Sequence, residues 1–430
     1  MAINASGQVA GVALTPSGYQ RAFLYDGTTM RDLGTLGGNH SYAMAIDASG
    51  QVVGWAQTLS GETHAFLDDG TTMRDLGTLG GGWGIAVAIN ASGQVVGYAF
   101  PATGGYHAFL YDGTTMRDLG TLGGGASFAM AINASGQVVG GADTPSGGPH
   151  AFLYDGATMR DLGTLGGNGS VAYAINASGQ VMGSADTPSG RAHAFLYDGT
   201  TMRDLGMLGG NHITAMAINA SGQVVGSADT PSGETHAFLY DGTTLRDLNS
   251  LLDASGDGWT VIEARAINDA GQIGGTAYNP DAGNHAVLLT PRINVSIEIN
   301  PGSSSESINR KSHGRIPVAI LSATTLDAPA QIDQSSLTFG RMGNEPSLAF
   351  CSRTPKDVNG DGLPDLVCHF YTRAAAFQNG DTQAVLKGRT VSGTSLAGSD
   401  SVRILPEKRW LRSLDRHPRL KELMRRALRP

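Results

Sequence analysis

The chain has 430 residues, 62 of them Gly, with 40% hydrophobic residues, 15% charged residues and a formal net charge of −8. Gly at about twice its ordinary share and without a three-residue period excludes collagen, and the apolar content excludes a disordered chain. No run approaches the ~18 apolar residues of a membrane helix. What remains is an all-β reading, with many short strands joined by Gly-rich turns and a length that suggests two or three domains. The N-terminus lacks the basic and apolar stretches of a secretory signal, and the chain starts partway through a repeat, so a longer natural precursor is expected.

Ala-Ile-Asn/Asp recurs with its Ile at Ile3, Ile46, Ile89, Ile132, Ile175, Ile218 and Ile267, in five steps of 43 residues and one of 49. Within one unit the pattern predicts strands at 129–133, 136–140, 150–154 and 159–165. Asn-Ala-Ser-Gly and Tyr-Asp-Gly-Thr supply the hairpins between the first and second and the third and fourth strands. Four short antiparallel strands per 40–50 residues is the spacing of a propeller blade. The count is 27 strands, one short of seven full blades. A seven-bladed β-propeller is expected over residues 1–292, with six or eight blades as alternatives. The missing strand would precede Met1, or the segment after His285 would close the ring.

The units resemble the bacterial HAF-repeat proteins, often described as probable extracellular repeats. His-Ala-Phe stands at His64, His107, His150, His193 and His236, with departures at Arg21 and at His285, where Val follows Ala. The resemblance covers about residues 1–292. It implies secretion or surface display and supplies no activity.

One His per unit invites a metal or catalytic ring, but His opens the third strand, away from the innermost position. A structural tether to the later Asp (Asp118, Asp161, Asp204) is the plainer reading. The units differ chiefly in two segments, the fourth-to-first and the second-to-third connections. An antiparallel blade puts both on the same rim. That rim carries His40, Tyr42, Trp83, Tyr106, Phe128 and His212 among Asn and Gly, a mixture suited to binding a sugar or peptide. Neutral drift in surface loops is the alternative. No catalytic triad, phosphate loop, zinc motif or paired-carboxylate cleft stands out.

From residue 293 a β-sandwich is expected through 406, with strands at 294–299, 315–322, 336–339, 365–371, 382–387 and 401–405. Asp357, Asn359, Asp361 and Asp365, with the Leu363 carbonyl, have the alternating oxygen pattern of a calcium loop, and Gly362 allows its sharp turn. Position 12 of an EF-hand would be Cys368, so shorter integrin-type or thrombospondin-type loops are the nearer likeness. A metal-free turn is the alternative. Cys351 and Cys368 bracket this loop, as a disulfide or as two free thiols. The module also resembles an uncharacterised C-terminal module of secreted bacterial proteins, which implies an extracellular setting.

Residues 407–430 carry nine Lys/Arg against three Asp/Glu, or +6, leaving −8 − 6 = −14 for the rest. A basic helical tail is expected, docked on its own protein or touching an anionic membrane. The acidic remainder argues against nucleic acid. The expectation is therefore a monomeric, non-catalytic, extracellular or surface binding protein for a glycan or another protein, with calcium in its second domain. The rivals are a polysaccharide hydrolase or lyase, and a purely structural spacer.

Overall fold

In a computed structural model of the chain, residues 1–303 and 306–405 are described; the expected helical tail at 407–430 lies outside them. The chain divides between Leu289 and Thr290 into two compact units.

The first unit is a β-propeller of seven consecutive antiparallel blades. Six have four strands. The seventh has three, Thr260–Ile267, Ile273–Asn279 and Gly283–Leu289, so the total is the 27 strands counted in the sequence. The fourth blade shows the pattern, with Ser127–Ile132, Val138–Asp143, Pro149–Tyr154 and Met159–Asp161 paired in chain order. Asn133 closes the first hairpin by accepting the N–H groups of Ser135 and Gln137. Asp155 closes the last by accepting those of Ala157 and Thr158. Gly156 supplies the turn's positive φ of 102°. The first strand bulges between Ala129 and Ala131. The bulge drives the Phe128 carbonyl towards Gly140, where any Cβ would overlap it. The same collision recurs at Gly54, Gly97, Gly183, Gly226 and Gly275.

Every inner blade is apolar on both faces, because side chains alternate along a strand and each face meets a neighbour. Val138 packs with Val96, Ala108 and Leu110 of the third blade. Val139 packs with Ala172, Val181 and Phe195 of the fifth. Each fully buried Val or Phe is worth about 1.5–3 kcal/mol.

Polar groups add a second system of links between blades. Asn90, Asn133, Asn176 and Asn219 each donate from Nδ2 to the backbone carbonyl of the homologous Asn one blade on, at 3.0–3.2 Å. Buried Ser127 accepts the Ala108 N–H and donates to the Gly120 carbonyl. The recurring His is a tether: His64, His107, His150, His193 and His236 each place Nδ1 within 2.7–2.9 Å of the Asp eleven residues later.

The seventh blade is the last of the series, and one of its positions is far more exposed than its counterparts. Leu67, Leu110, Leu153 and Leu196 are 6–8% exposed, whereas the homologous Leu288 is 66% exposed.

The second unit is a β-sandwich of two four-stranded sheets around one core that includes Ile299, Val318, Phe339, Phe370 and Leu386. One sheet orders Arg292–Asn294, Ser395–Ser401, Gln383–Thr390 and Ile332–Gly340; the other orders Ile297–Ile299, Arg315–Ile320, Leu366–Tyr371 and Leu348–Cys351. The strand expected at 294–299 is broken, because the chain crosses from one sheet to the other there. Leu348–Cys351 and Ser395–Ser401 were not anticipated, the latter being rich in Gly and Ser.

Candidate functional site

The second-to-third and fourth-to-first connections of the blades share one rim, as antiparallel order requires. At the third and fourth blades this rim gathers five half-buried aromatic rings. Trp83 comes from the start of the third blade's first strand, Gly80–Ile89. Tyr98 and Phe100 come from its second strand, Val95–Pro101, and Tyr106 from the loop that follows. Phe128 opens the fourth blade.

Trp83 lies 5.5 Å from Tyr98 and 5.7 Å from Phe100 between ring centroids. Tyr106 lies 5.5 Å from Tyr98, 6.1 Å from Phe100 and 6.4 Å from Phe128. All fall within the range of attractive tilted and edge contacts. Tyr98 and Phe100 share a strand face with Val96, which packs on the fourth blade. Burial, and next the neighbouring Tyr106, push the Tyr98 phenol above its ordinary pKa, so it stays neutral and can both donate and accept. The Glu62 carboxylate lies beside the open side of Gly82, next to Trp83, where a side chain at that position would meet it, and Thr63 pairs with Trp83 across the blade boundary.

Comparison of homologous positions separates this cluster from the needs of the fold. The pair facing each other at the rim is Tyr42 and Trp55 in the second blade, Ile85 and Tyr98 in the third, and Phe128 and Gly141 in the fourth. It becomes Val171 and Ser184 in the fifth and Thr214 and Ser227 in the sixth. The fifth and sixth blades form the same sheets without the rings. The aromatics are therefore not required to build a blade.

Of the residues singled out from sequence, Trp83, Tyr106 and Phe128 come together here. His40 and Tyr42 both sit on the second blade's first strand, Gly37–Ile46: Tyr42 stacks on Trp55 at 6.0 Å, and His40 meets Tyr19 of the first blade edge-on at 5.4 Å. The His40 Nδ1 accepts the Gln20 N–H. His212 lies apart, exposed on the sixth blade. Sequence reasoning missed Tyr98, Phe100 and Trp55 because it searched the loops. For Trp55 and Tyr98 the signal was a strand position that is Gly or Ser in the fourth to sixth units, and for Phe100 it was a position that is Gln57, Asp143, Asp186 or Asp229 in its siblings.

The same rim has an open cleft of about 650 Å³ at the sixth and seventh blades, lined by residues that include Glu234, Glu263 and Tyr278. Glu263 is engaged by Arg265 at 2.7 Å.

In the second unit the acidic loop is closed on itself. Asp365 is fully buried, and its two oxygens accept the Ser322 and Val358 N–H groups. Asp357 accepts from Gly360 and Gly362, and Asp361 accepts from Leu363 and from the Asn359 amide. Among the described residues no three His, Cys, Asp or Glu side chains group as a metal site. Cys351 and Cys368 face each other on paired strands and form a disulfide. No helix among the described residues is long and apolar enough to cross a membrane.

Residues 169–287 match a family described as a protein of unknown function, DUF3466. No curated protein matches the chain in sequence. Solved structures with a similar arrangement include the propeller domain of the trilobed protease from Pyrococcus furiosus, at 6% identity and TM-score 0.43, covering 67% of this chain and 93% of that one. The BP39L lectin from Burkholderia pseudomallei has 9% identity, TM-score 0.40 and the same two coverages. The six-bladed Aleuria aurantia lectin has 13% identity, TM-score 0.28 and coverages of 67% and 95%. Likeness at this level carries no functional argument, and the propeller description rests on the sheet order above.

Proposed function

We propose that this is a non-catalytic, extracellular binding protein that holds a glycan against Trp83, Tyr98, Phe100, Tyr106 and Phe128. The observation that carries the reading is the presence of rings at rim positions where sibling blades fold with Val, Thr and Ser. Partly exposed rings offer apolar faces for the C–H side of a sugar. The Tyr hydroxyls and Glu62 offer hydrogen bonds to its hydroxyls, the usual division of labour in a small-ligand site. The HAF-repeat assignment and the extracellular setting belong to the same proposal, and a Cys351–Cys368 disulfide suits an oxidising compartment. Calcium is proposed for the loop at 357–365 on its donor chemistry: the oxygens of Asp357, Asn359 and Asp361 would have to turn from their present N–H partners to meet it.

The test uses the full chain and residues that sibling blades carry at the homologous positions. Trp83→Ala copies Ala126, Tyr98→Ser copies Ser184, and Tyr106→Thr copies Thr63. Each should weaken binding of a panel glycan at least about tenfold in calorimetry. Tyr173→Ala, on the fifth blade, should leave it unchanged. Equal binding by all variants would sink the proposal. The hydrolase reading draws on one feature, the cleft containing Glu234 and Glu263. Polysaccharide turnover abolished by Glu263→Gln would favour it.

A further inference from the structure

Each of the first six blades seats a short fourth strand along the outer edge of its third strand, in one register. Phe23 faces Asp32, Phe66 faces Asp75, and Phe109 faces Asp118. Phe152, Phe195 and Phe238 face Asp161, Asp204 and Asp247 in the same way. The Leu after that Asp donates its N–H back to the third strand, as Leu119 does to Ala108, Leu162 to Ala151 and Leu205 to Ala194. In five blades the Asp also takes the Nδ1 of the His that opens the third strand.

The seventh blade has the third strand, Gly283–Leu289, and the His, His285. Among the described residues it has no fourth strand. His285 is exposed and lies 5.1 Å from the Trp259 ring, whereas the five Asp-paired His side chains are only 18–23% exposed. Leu288, the position opposite the fourth strand's Arg in the other blades, is 66% exposed.

We propose that the outer edge of Gly283–Leu289, which pairs with no strand among the described residues, is a strand-docking site for an extended peptide of the type apolar-Arg-Asp-Leu. The edge offers a row of unpaired backbone groups to an added strand. The six internal copies specify its register and chemistry. The peptide's Asp meets His285, its Leu N–H meets the Ala286 carbonyl, and its Arg stem covers Leu288. A carboxylate is selected because an imidazole already stands where five sibling carboxylates are held. This inference is independent of the glycan reading.

The probe is a fluorescent nonapeptide with the sequence of residues 114–122, titrated into the full chain. The expected result is saturable binding, with amide exchange across 283–289 slowed by the peptide. Replacing the peptide's Asp by Ala should weaken binding at least about tenfold, the scale of a hydrogen bond to a charged group. His285→Ala should do the same to the protein. His285 is exposed, so this variant should keep the native unfolding temperature; if it does not, the peptide variant decides alone. No binding at millimolar peptide, or equal binding by a scrambled peptide, overturns the proposal.

Discussion

Truncating Arg31 should cost the propeller far more than truncating the homologous Arg117. In three blades the Arg of the fourth strand lies over a Tyr ring of the next blade: Arg74 over Tyr111, Arg117 over Tyr154 and Arg160 over Tyr197, at 5.5–5.6 Å. At the second blade the Tyr is replaced by Asp68, and Arg31 meets its carboxylate at 2.6 Å. The Asp68 side chain is 1% exposed, and beyond Arg31 it accepts the Gly70 N–H. Arg117→Ala loses a cation–π contact of about 0.5–1 kcal/mol. Arg31→Ala leaves a buried carboxylate without its cation, a loss in the range of about 3–5 kcal/mol. Arg31 is itself 38% exposed, so water reaches the pair and the lower end, about 3 kcal/mol, is expected.

Asp68→Tyr restores the residue of the other blades. By itself it should be neutral or stabilising, and it should recover about 2 kcal/mol or more in the Arg31→Ala background, since no charge is then stranded. An array of blades can open in parts, so the assay must be local. Native-state hydrogen exchange over Val52–Thr58 and Thr63–Asp68 reports the opening free energy of the second blade. About 3 kcal/mol corresponds to exchange on the order of a hundredfold faster. Equal effects of Arg31→Ala and Arg117→Ala, or failure of Asp68→Tyr to rescue, would refute the reasoning.

The asparagine ladder is interrupted at Asp47, whose carboxylate accepts from Ser49 and Gln51 but has no hydrogen to donate onward. Asp47→Asn should add a rung to the Asn90 carbonyl and stabilise the second and third blades by about 1 kcal/mol, read as a higher unfolding temperature; no gain counts against the ladder. In the Asp-Gly hairpins the Asp112 carboxyl is held well below the usual carboxylate range, first by the Thr115 N–H and then by the Thr114 hydroxyl. Its folded pKa is depressed, so its stabilisation is present above the unfolded value of about 3.9 and is lost as pH falls towards the folded value. Asp155, which faces Ala157 in place of that hydroxyl, should protonate at higher pH than Asp112 in carboxyl NMR titration; coincident titrations would discount the hydroxyl. Calcium at about 100 times its dissociation constant should stabilise the second unit by about 2.7 kcal/mol over chelator, an effect absent in Asp361→Ala. An unfolding temperature indifferent to calcium would leave the loop as a self-satisfied turn.

Much of the propeller was legible in the sequence because its information is local and repeated. The Asp-Gly and Asn-Ala-Ser-Gly hairpins announce their turns, and the 43-residue period announces the blade. The His-to-Asp spacing follows from a single hairpin, so the tether could be read before any tertiary contact was known. The second unit was less readable. It has no repeat to average over, and Ser395–Ser401 is held as a strand by its neighbours rather than by its own propensity.

Sequence by itself thus determined the strand count, the hairpins, the shared rim and the residue types on it. Only the tertiary structure decided which of those residues meet. Trp83, Tyr106 and Phe128 converge because the third and fourth blades pack face to face, whereas His212 is carried away on the sixth. Tyr98 and Phe100 join them from a strand, since alternation turns both towards the fourth blade. The edge beside His285, unpaired among the described residues, belongs to the same class of fact. Whether a strand has a partner depends on what the rest of the chain places next to it, and no local pattern of residues records that.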